Sequence, residues 1–206
     1  MVVRVVCLAV GYLFGCFLTA DLVARKKLGA SAFEVGSGNP GMANIGSLLG
    51  VKWAAVTLAG DIGKTLLACL ICRFILAPGL GQLATLWAGL GATIGHDAPF
   101  WHRFKGGKGV TTSASTIVLF DPVWGMAALI LGLVIVIVSK QLCYGAVAIQ
   151  AIFLFIVCMR FGLGEAALLC SMLFLFTLMC HGGPCWRALH GKEPQTDFLS
   201  KLHSSR

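Results

Sequence analysis

The sequence predicts an all-α membrane protein of about seven transmembrane helices with three motif loops on the cytoplasmic face. Three observations carry the membrane class. Hydrophobic residues make up 58% of the 206 positions and charged residues only 12%, about half the share usual in soluble proteins. Several apolar runs approach or exceed the roughly 18 to 20 residues that cross a bilayer core as a helix. The sequence carries none of the ten-residue alternating segments that build a membrane barrel. A single integral-membrane domain over residues 1–206 is therefore expected, with 194–206 as a disordered tail.

The elements follow in order. Residues 5–24 read as the first span, and the Arg25-Lys26-Lys27 that ends it fits a retained span better than a cleaved leader. Residues 25–50 read as a loop, rich in Gly and Ser from Gly36 to Gly50. Residues 53–77 form a second span holding Asp61 and Lys64, which are three apart and share a helix face. Charges at membrane depth face the bundle interior, so the pair is either a structural ion pair or part of a site. Pro78-Gly79 makes a turn. Residues 80–97 form the third span. Residues 109–120 are apolar, but a helix of that length rises only about 18 Å, short of the roughly 30 Å hydrocarbon core. Asp121-Pro122 breaks the run, because proline has no N–H to give and restricts its predecessor. Residues 123–138, 142–161 and 164–180 complete the set.

The charges set an orientation. With the first loop inside, the cytoplasmic segments hold Arg25, Lys26, Lys27, Lys52, Arg103, Lys105, Lys108, Lys140, Arg187, Lys192, Lys201 and Arg206. The outside segments hold Arg4, Arg73 and Arg160. This asymmetry obeys the positive-inside rule only if 109–120 crosses. The net charge of +8 then reads as topology and contact with anionic membrane lipids, not as nucleic-acid binding. Eight of the nine cysteines lie inside apolar runs and Cys185 just after one, where they act as small apolar residues. Cys69 and Cys72 have no second pair to complete a zinc site, so neither a metal nor a structural disulfide is expected.

Three polar clusters interrupt the apolar pattern. The most distinctive runs from Gly95-His96 through Arg103, Lys105 and Gly106-Gly107-Lys108-Gly109 to Thr112. Glycines let backbone N–H groups approach and converge on a ligand, and the neighbouring cations select an anion such as phosphate. The plainer reading is a basic loop that merely obeys the topology rule. The first cluster holds Gly36, Ser37, Gly38, Asn39, Gly41, Asn44 and Ser47, whose amides and hydroxyls suit phosphate or hydroxyl oxygens. Its glycine spacing formally fits a dinucleotide fingerprint, but a membrane loop has no strand to precede it. Gly60 to Thr65 ends like a P-loop yet lies inside an apolar span with Leu58 where the first glycine belongs. The third cluster, 181–193, holds His181, Pro184, Arg187, Gly191 and Glu193. There His181 suits a phosphate hydrogen bond or a proton transfer, and Arg187 suits bidentate anion binding.

Taken together, these clusters resemble the acyl-phosphate:glycerol-3-phosphate acyltransferases of the bacterial inner membrane, over nearly the whole chain. The second cluster matches at Gly95-His96, Pro99-Phe100, Phe104 and Lys105 to Val110. The first matches at Gly36-Ser37-Gly38-Asn39, Gly41 and Asn44, and the third at His181, Arg187, Gly191 and Glu193. Asp61 and Lys64 resemble a feature of the family's second span. The resemblance implies seven spans in the bacterial plasma membrane with the motifs facing the cytoplasm. It also implies transfer of a fatty acyl group from acyl phosphate to glycerol 3-phosphate, giving lysophosphatidic acid and phosphate without a cofactor. Ser37, Lys108 and His181 are the expected catalytic residues. Gly38, Asn39, Gly41, Asn44, Lys105, Gly107, Arg187 and Glu193 are the expected substrate and phosphate contacts. Ala43, Ser47 and Pro184 stand where the family carries Thr, Arg and Asn. A non-catalytic or altered-acceptor relative that binds acyl phosphate or lipid is the alternative.

Overall fold

The structure, a computed structural model, describes residues 1–195; Lys201, Arg206 and most of the expected tail lie outside them. Among the described residues every regular element is helical. In chain order the α-helices are α1 Val2–Gly15, α2 Thr19–Leu28, α3 Met42–Leu49, α4 Val51–Ile71, α5 Gln82–Asp97, α6 Val110–Phe120, α7 Pro122–Ser139, α8 Leu142–Phe161 and α9 Glu165–Leu189. Five stretches are long and apolar enough to cross a bilayer: Val2–Leu28, Val51–Leu76, Pro122–Ser139, Leu142–Phe161 and Glu165–Leu189. The expected third span, α5, and the short apolar segment, α6, are the shorter helices between them.

The chain divides into two compact units, Met1–Phe120 and Asp121 onward. In the first, α1 and α5 approach so closely that glycine is required on both. A Cβ on Gly11 or Gly15 would collide with the carbonyls of Ala88 and Ala92, and one on Gly91 or Gly95 with those of Leu8 and Tyr12. Small residues substitute for a hydrophobic driving force when helices pack in lipid. In the second unit, Gly132 of α7 meets Ile149 of α8, and Gly145 of α8 meets Val136 of α7. Asp121 caps α7 through the Trp124 N–H and pairs with Arg160 at the far end of α8, Nη1 to Oδ2 at 2.6 Å. That pair closes an antiparallel hairpin. Large apolar side chains along α7, including Ile130, Leu131, Leu133 and Val134, stay exposed, as a lipid-facing surface requires.

Three expectations are corrected. The first span is not continuous: α1 stops after Gly15, Leu18 is extended, and α2 begins at Thr19. The 25–50 segment is not all loop, since Met42–Leu49 is helical. The last span does not end at 180. It runs to Leu189, with Pro184 inside it, so the third cluster is helical over most of its length. The buried stripe Cys170, Leu173, Thr177, His181 and Pro184 keeps three- and four-residue spacing through that point, and packing on one face outweighs one missing N–H donor.

Enlarging Gly91 to Leu is expected to force α1 from α5 and to cost about 1–3 kcal/mol or more. It should therefore lower the thermal unfolding midpoint in detergent. Gly79→Ala, where a Cβ meets nothing within 4 Å, should leave that midpoint unchanged.

Candidate active site

Lys64 is the centre of a buried polar cluster in the first unit. Its side chain is almost fully buried, and Nζ lies 2.9 Å from Asp61 Oδ1, 2.8 Å from His96 Nδ1, 3.1 Å from the Gly15 carbonyl and 2.7 Å from that of Phe17. The two carbonyls belong to the break between α1 and α2, where the ladder cannot supply donors and lipid offers none. An ammonium only donates, so His96 Nδ1 accepts and, in a neutral ring, the proton sits on Nε2. The spacing that suggested the Asp61–Lys64 pair was right; its extension to His96 and to the helix break comes from α5 and α1.

The Gly/Lys loop is folded onto that histidine. Gly107 N–H donates to the His96 carbonyl at 2.9 Å. A Cβ on Gly107 would collide with His96 Nε2, and one on Gly106 with the His96 carbonyl. Gly109 has φ +62°, and a Cβ there would sit 2.7 and 2.9 Å from the Asp97 carboxylate oxygens. The glycines are thus required by close approach. Lys108, half-buried, sits between Gly107 and Gly109, just before the first turn of α6. A helix start presents unpaired N–H groups and favours anions. Among the described residues Lys108 has no ion-pair partner. Lys105 is exposed, and Arg103 and Phe104 adopt left-handed backbone, φ 54° and 58°. The Tyr12 hydroxyl anchors the loop's start by donating to the Ala98 carbonyl at 2.9 Å.

The first cluster is tied to the second through Asp21. Its carboxylate is buried and accepts from Ser31 Oγ at 2.6 Å, from the Ala32 N–H at 2.9 Å and from Arg25 Nε at 2.8 Å. His102 Nε2 lies 3.9 Å away, and the His102 ring packs on Phe33 with centroids 5.1 Å apart. Within the cluster Asn44 is also buried. Its Oδ1 accepts from the Ser37 N–H at 2.9 Å, and its Nδ2 donates to the carbonyls of Ala32 and Val35. Gly36 and Gly38 take φ +59° and +70°, a turn open to glycine at no steric cost. Ser37 is exposed, and Gly38, Asn39 and Gly41 are half-buried around it. Ser47 is exposed and donates to the Asn44 carbonyl at 2.8 Å, a local bond in place of a charge.

In the second unit His181 is buried on the α9 stripe. Arg187 Nε pairs with Glu193 Oε2 at 2.7 Å across the end of that helix, and Lys192 N–H closes the turn on the Arg187 carbonyl. Arg187 and Glu193, both expected at substrate, are here each other's partner.

The family described as glycerol-3-phosphate acyltransferase matches residues 5–191. The chain belongs to that family. It is 46% identical over 137 residues to glycerol-3-phosphate acyltransferase 1 of Lactobacillus johnsonii, covering 66% of each chain. It is 40% identical over 139 residues to the Lactobacillus acidophilus protein of the same name, covering 68% of this chain and 66% of that one. The alignments thus span about two thirds of these relatives' length. The fold is that of PlsY (YgiH), an integral membrane glycerol 3-phosphate acyltransferase, in its glycerol 3-phosphate form. The TM-score is 0.85 at 22% identity, over 97% of this chain and 98% of that one.

Sequence reasoning missed Asp21, Tyr12 and the extension to His96 in this acyltransferase-family chain. An aspartate inside an apolar span with Arg four residues later was the available signal for Asp21. Tyr12 and His96 act through partners 86 and 32 residues away, which no local pattern exposes.

Removing one partner of a buried ion pair leaves an uncompensated charge and costs about 3–5 kcal/mol. Lys64→Met is expected to destabilise the protein by that amount, and more than Asp61→Asn. The double variant should be less destabilised than the sum of the singles, as read by thermal unfolding in detergent.

Proposed function

We propose that the protein transfers a fatty acyl group from acyl phosphate to the 1-hydroxyl of glycerol 3-phosphate. The products are lysophosphatidic acid and inorganic phosphate, and the reaction serves phospholipid synthesis. The observation that carries this reading is the Gly106–Gly109 loop, folded on His96 with Lys108 half-buried just before α6, in a chain of this family. Acyl phosphate is already activated, so no protein nucleophile is needed. The hydroxyl oxygen bonds to the acyl carbon, the bond from that carbon to the phosphate oxygen breaks, and phosphate leaves with its electron pair. The protein's part is to position the reactants and stabilise charge.

Lys108, Lys105 and the N–H groups around Gly107 are assigned to phosphate oxygens. Ser37, Gly38, Asn39 and Gly41 are assigned to the acceptor's phosphate and hydroxyls, with Asn44 holding their turn in shape. His181 is proposed to take the hydroxyl proton. For Arg187 and Glu193 the assigned role is to bind or orient substrate at the end of α9. The whole chain is read as one acyltransferase domain in a bacterial plasma membrane, its motifs facing the cytoplasm among the membrane lipids. Ser47 and Pro184 favour a second reading, in which a changed acceptor replaces glycerol 3-phosphate.

The decisive assay supplies purified protein with palmitoyl phosphate and glycerol 3-phosphate and reads lysophosphatidic acid by mass. Product is expected. Binding of acyl phosphate without acylation of glycerol 3-phosphate would favour the changed acceptor. Lys108→Met should remove a charge-assisted contact worth roughly 1.5–3 kcal/mol. The rate should then fall about ten- to a hundredfold or more with unfolding unchanged; an unaltered rate removes Lys108 from the site. For orientation, reporter fusions at Lys27 and Lys140 should report cytoplasm and one at Arg160 the opposite side. A non-cytoplasmic signal at Lys140 would mean that α6 does not cross.

A further inference from the structure

Asp21 of α2 divides its carboxylate between two sides. Oδ1 accepts from Ser31 Oγ at 2.6 Å and from the Ala32 N–H at 2.9 Å, both in the stretch that leads into the first cluster. Oδ2 faces basic side chains instead, Arg25 Nε at 2.8 Å and His102 Nε2 at 3.9 Å. The residue is 5% exposed, and taking a carboxylate out of water is costly unless it is paired and hydrogen-bonded. A pair with Arg25, four residues on, would support α2 equally well at the surface. Burial needs another reason, and the contacts of Oδ1 give one.

The Ala32 peptide begins a relay. Asp21 holds its N–H, and its carbonyl accepts from Asn44 Nδ2 at 3.3 Å. The same Nδ2 donates to the Val35 carbonyl at 3.0 Å, and Asn44 Oδ1 accepts from the Ser37 N–H at 2.9 Å. Buried Asp21 is thus joined to the backbone of exposed Ser37 through two intermediates, Ala32 and Asn44. The loop between them needs such support. Gly36 and Gly38 stand at φ +59° and +70°, and glycine loses more conformational freedom on ordering than any other residue. A substrate-positioning group has little latitude, since a misplacement of about 1 Å can cost about a hundredfold in rate.

We propose that Asp21 is a positioning residue for the acceptor. Through Oδ1 it fixes the Ala32 peptide, and through Ala32 and Asn44 it sets where the Ser37–Gly38–Asn39 backbone meets glycerol 3-phosphate. The inference rests on the acyltransferase reading above. It assigns the acceptor to Oδ1 alone, and leaves Oδ2 with the pairing of Arg25.

The division between the two oxygens makes the test. In Asp21→Asn the amide oxygen still accepts from Ser31 and Ala32, while the NH2 group replaces Oδ2 and gives up Arg25. Asp21→Ala loses both sides, Arg25→Gln only the second, and Ser31→Ala one donor of the first. In the full-length protein, KM for glycerol 3-phosphate is expected to rise about tenfold in Asp21→Ala, the scale of one charge-assisted hydrogen bond. It should rise less in Ser31→Ala and stay close to the wild-type value in Asp21→Asn and Arg25→Gln. No rise in Asp21→Ala overturns the proposal. So does an equal rise in Asp21→Asn and Arg25→Gln, which would make the carboxylate a structural charge partner only. If Asp21→Ala does not fold, Ser31→Ala against Asp21→Asn decides: a KM raised in the first and not in the second supports the proposal, and the reverse order overturns it. A second measurement, amide hydrogen exchange, needs no substrate. Asp21→Ala or, in its place, Ser31→Ala should speed exchange in peptides spanning 31–39 and leave α5 unchanged, and Asp21→Asn should keep the wild-type rate. Unchanged exchange over 31–39 in the Ala variants overturns the proposal. If the wild type neither binds nor acylates glycerol 3-phosphate, the acyltransferase reading fails, and the exchange still decides whether Asp21 holds the loop.

Discussion

The ammonium of Lys64 donates to the carbonyls of Gly15 and Phe17 and to His96, and the Asp61 carboxylate lies 2.9 Å away as its ion-pair partner. A helix interrupted at membrane depth leaves backbone carbonyls that neither lipid nor water satisfies. A bare lysine in the same place would be equally costly. Together they satisfy each other. Past the interruption, α2 carries Asp21, whose carboxylate accepts from the Ser31 hydroxyl and the Ala32 N–H. Lys64 also fixes His96, and His96 is the surface on which the glycine loop folds.

This arrangement explains why the loop is so rich in glycine. Gly106 and Gly107 lie against the backbone and ring of His96, and Gly109 lies against Asp97 with a positive φ. Lys108, half-buried, stands between Gly107 and Gly109 at the start of α6. The glycines of this short sequence therefore meet a packing requirement against His96 and Asp97. In the first cluster the duties are divided. Asn44, buried, holds the turn with both ends of its amide, while Ser37 stays at the surface.

The membrane class, the helical content and most span positions were legible in the sequence because they depend on composition and on breaks such as Asp121-Pro122, which are local. Residues of the two clusters in the first unit were legible for the same reason: glycine, asparagine and lysine in an apolar chain stand out. The end of α9 was misread because Gly182-Gly183-Pro184 resembles a stop locally. The buried stripe from Cys170 to Pro184 keeps the helix going.

By itself the sequence determined that this chain lies in a membrane, which residues are polar there and that Asp61 can reach Lys64, since three-residue spacing on a helix is a local property. Only the tertiary structure decided that Lys64 caps a broken helix, that His96 carries the glycine loop, that Asp21 joins two loops and that Gly11, Gly15, Gly91 and Gly95 are there for helix contact. Each of these rests on atoms from segments tens of residues apart. Hydropathy and spacing along one segment say nothing about which other segment lies against it.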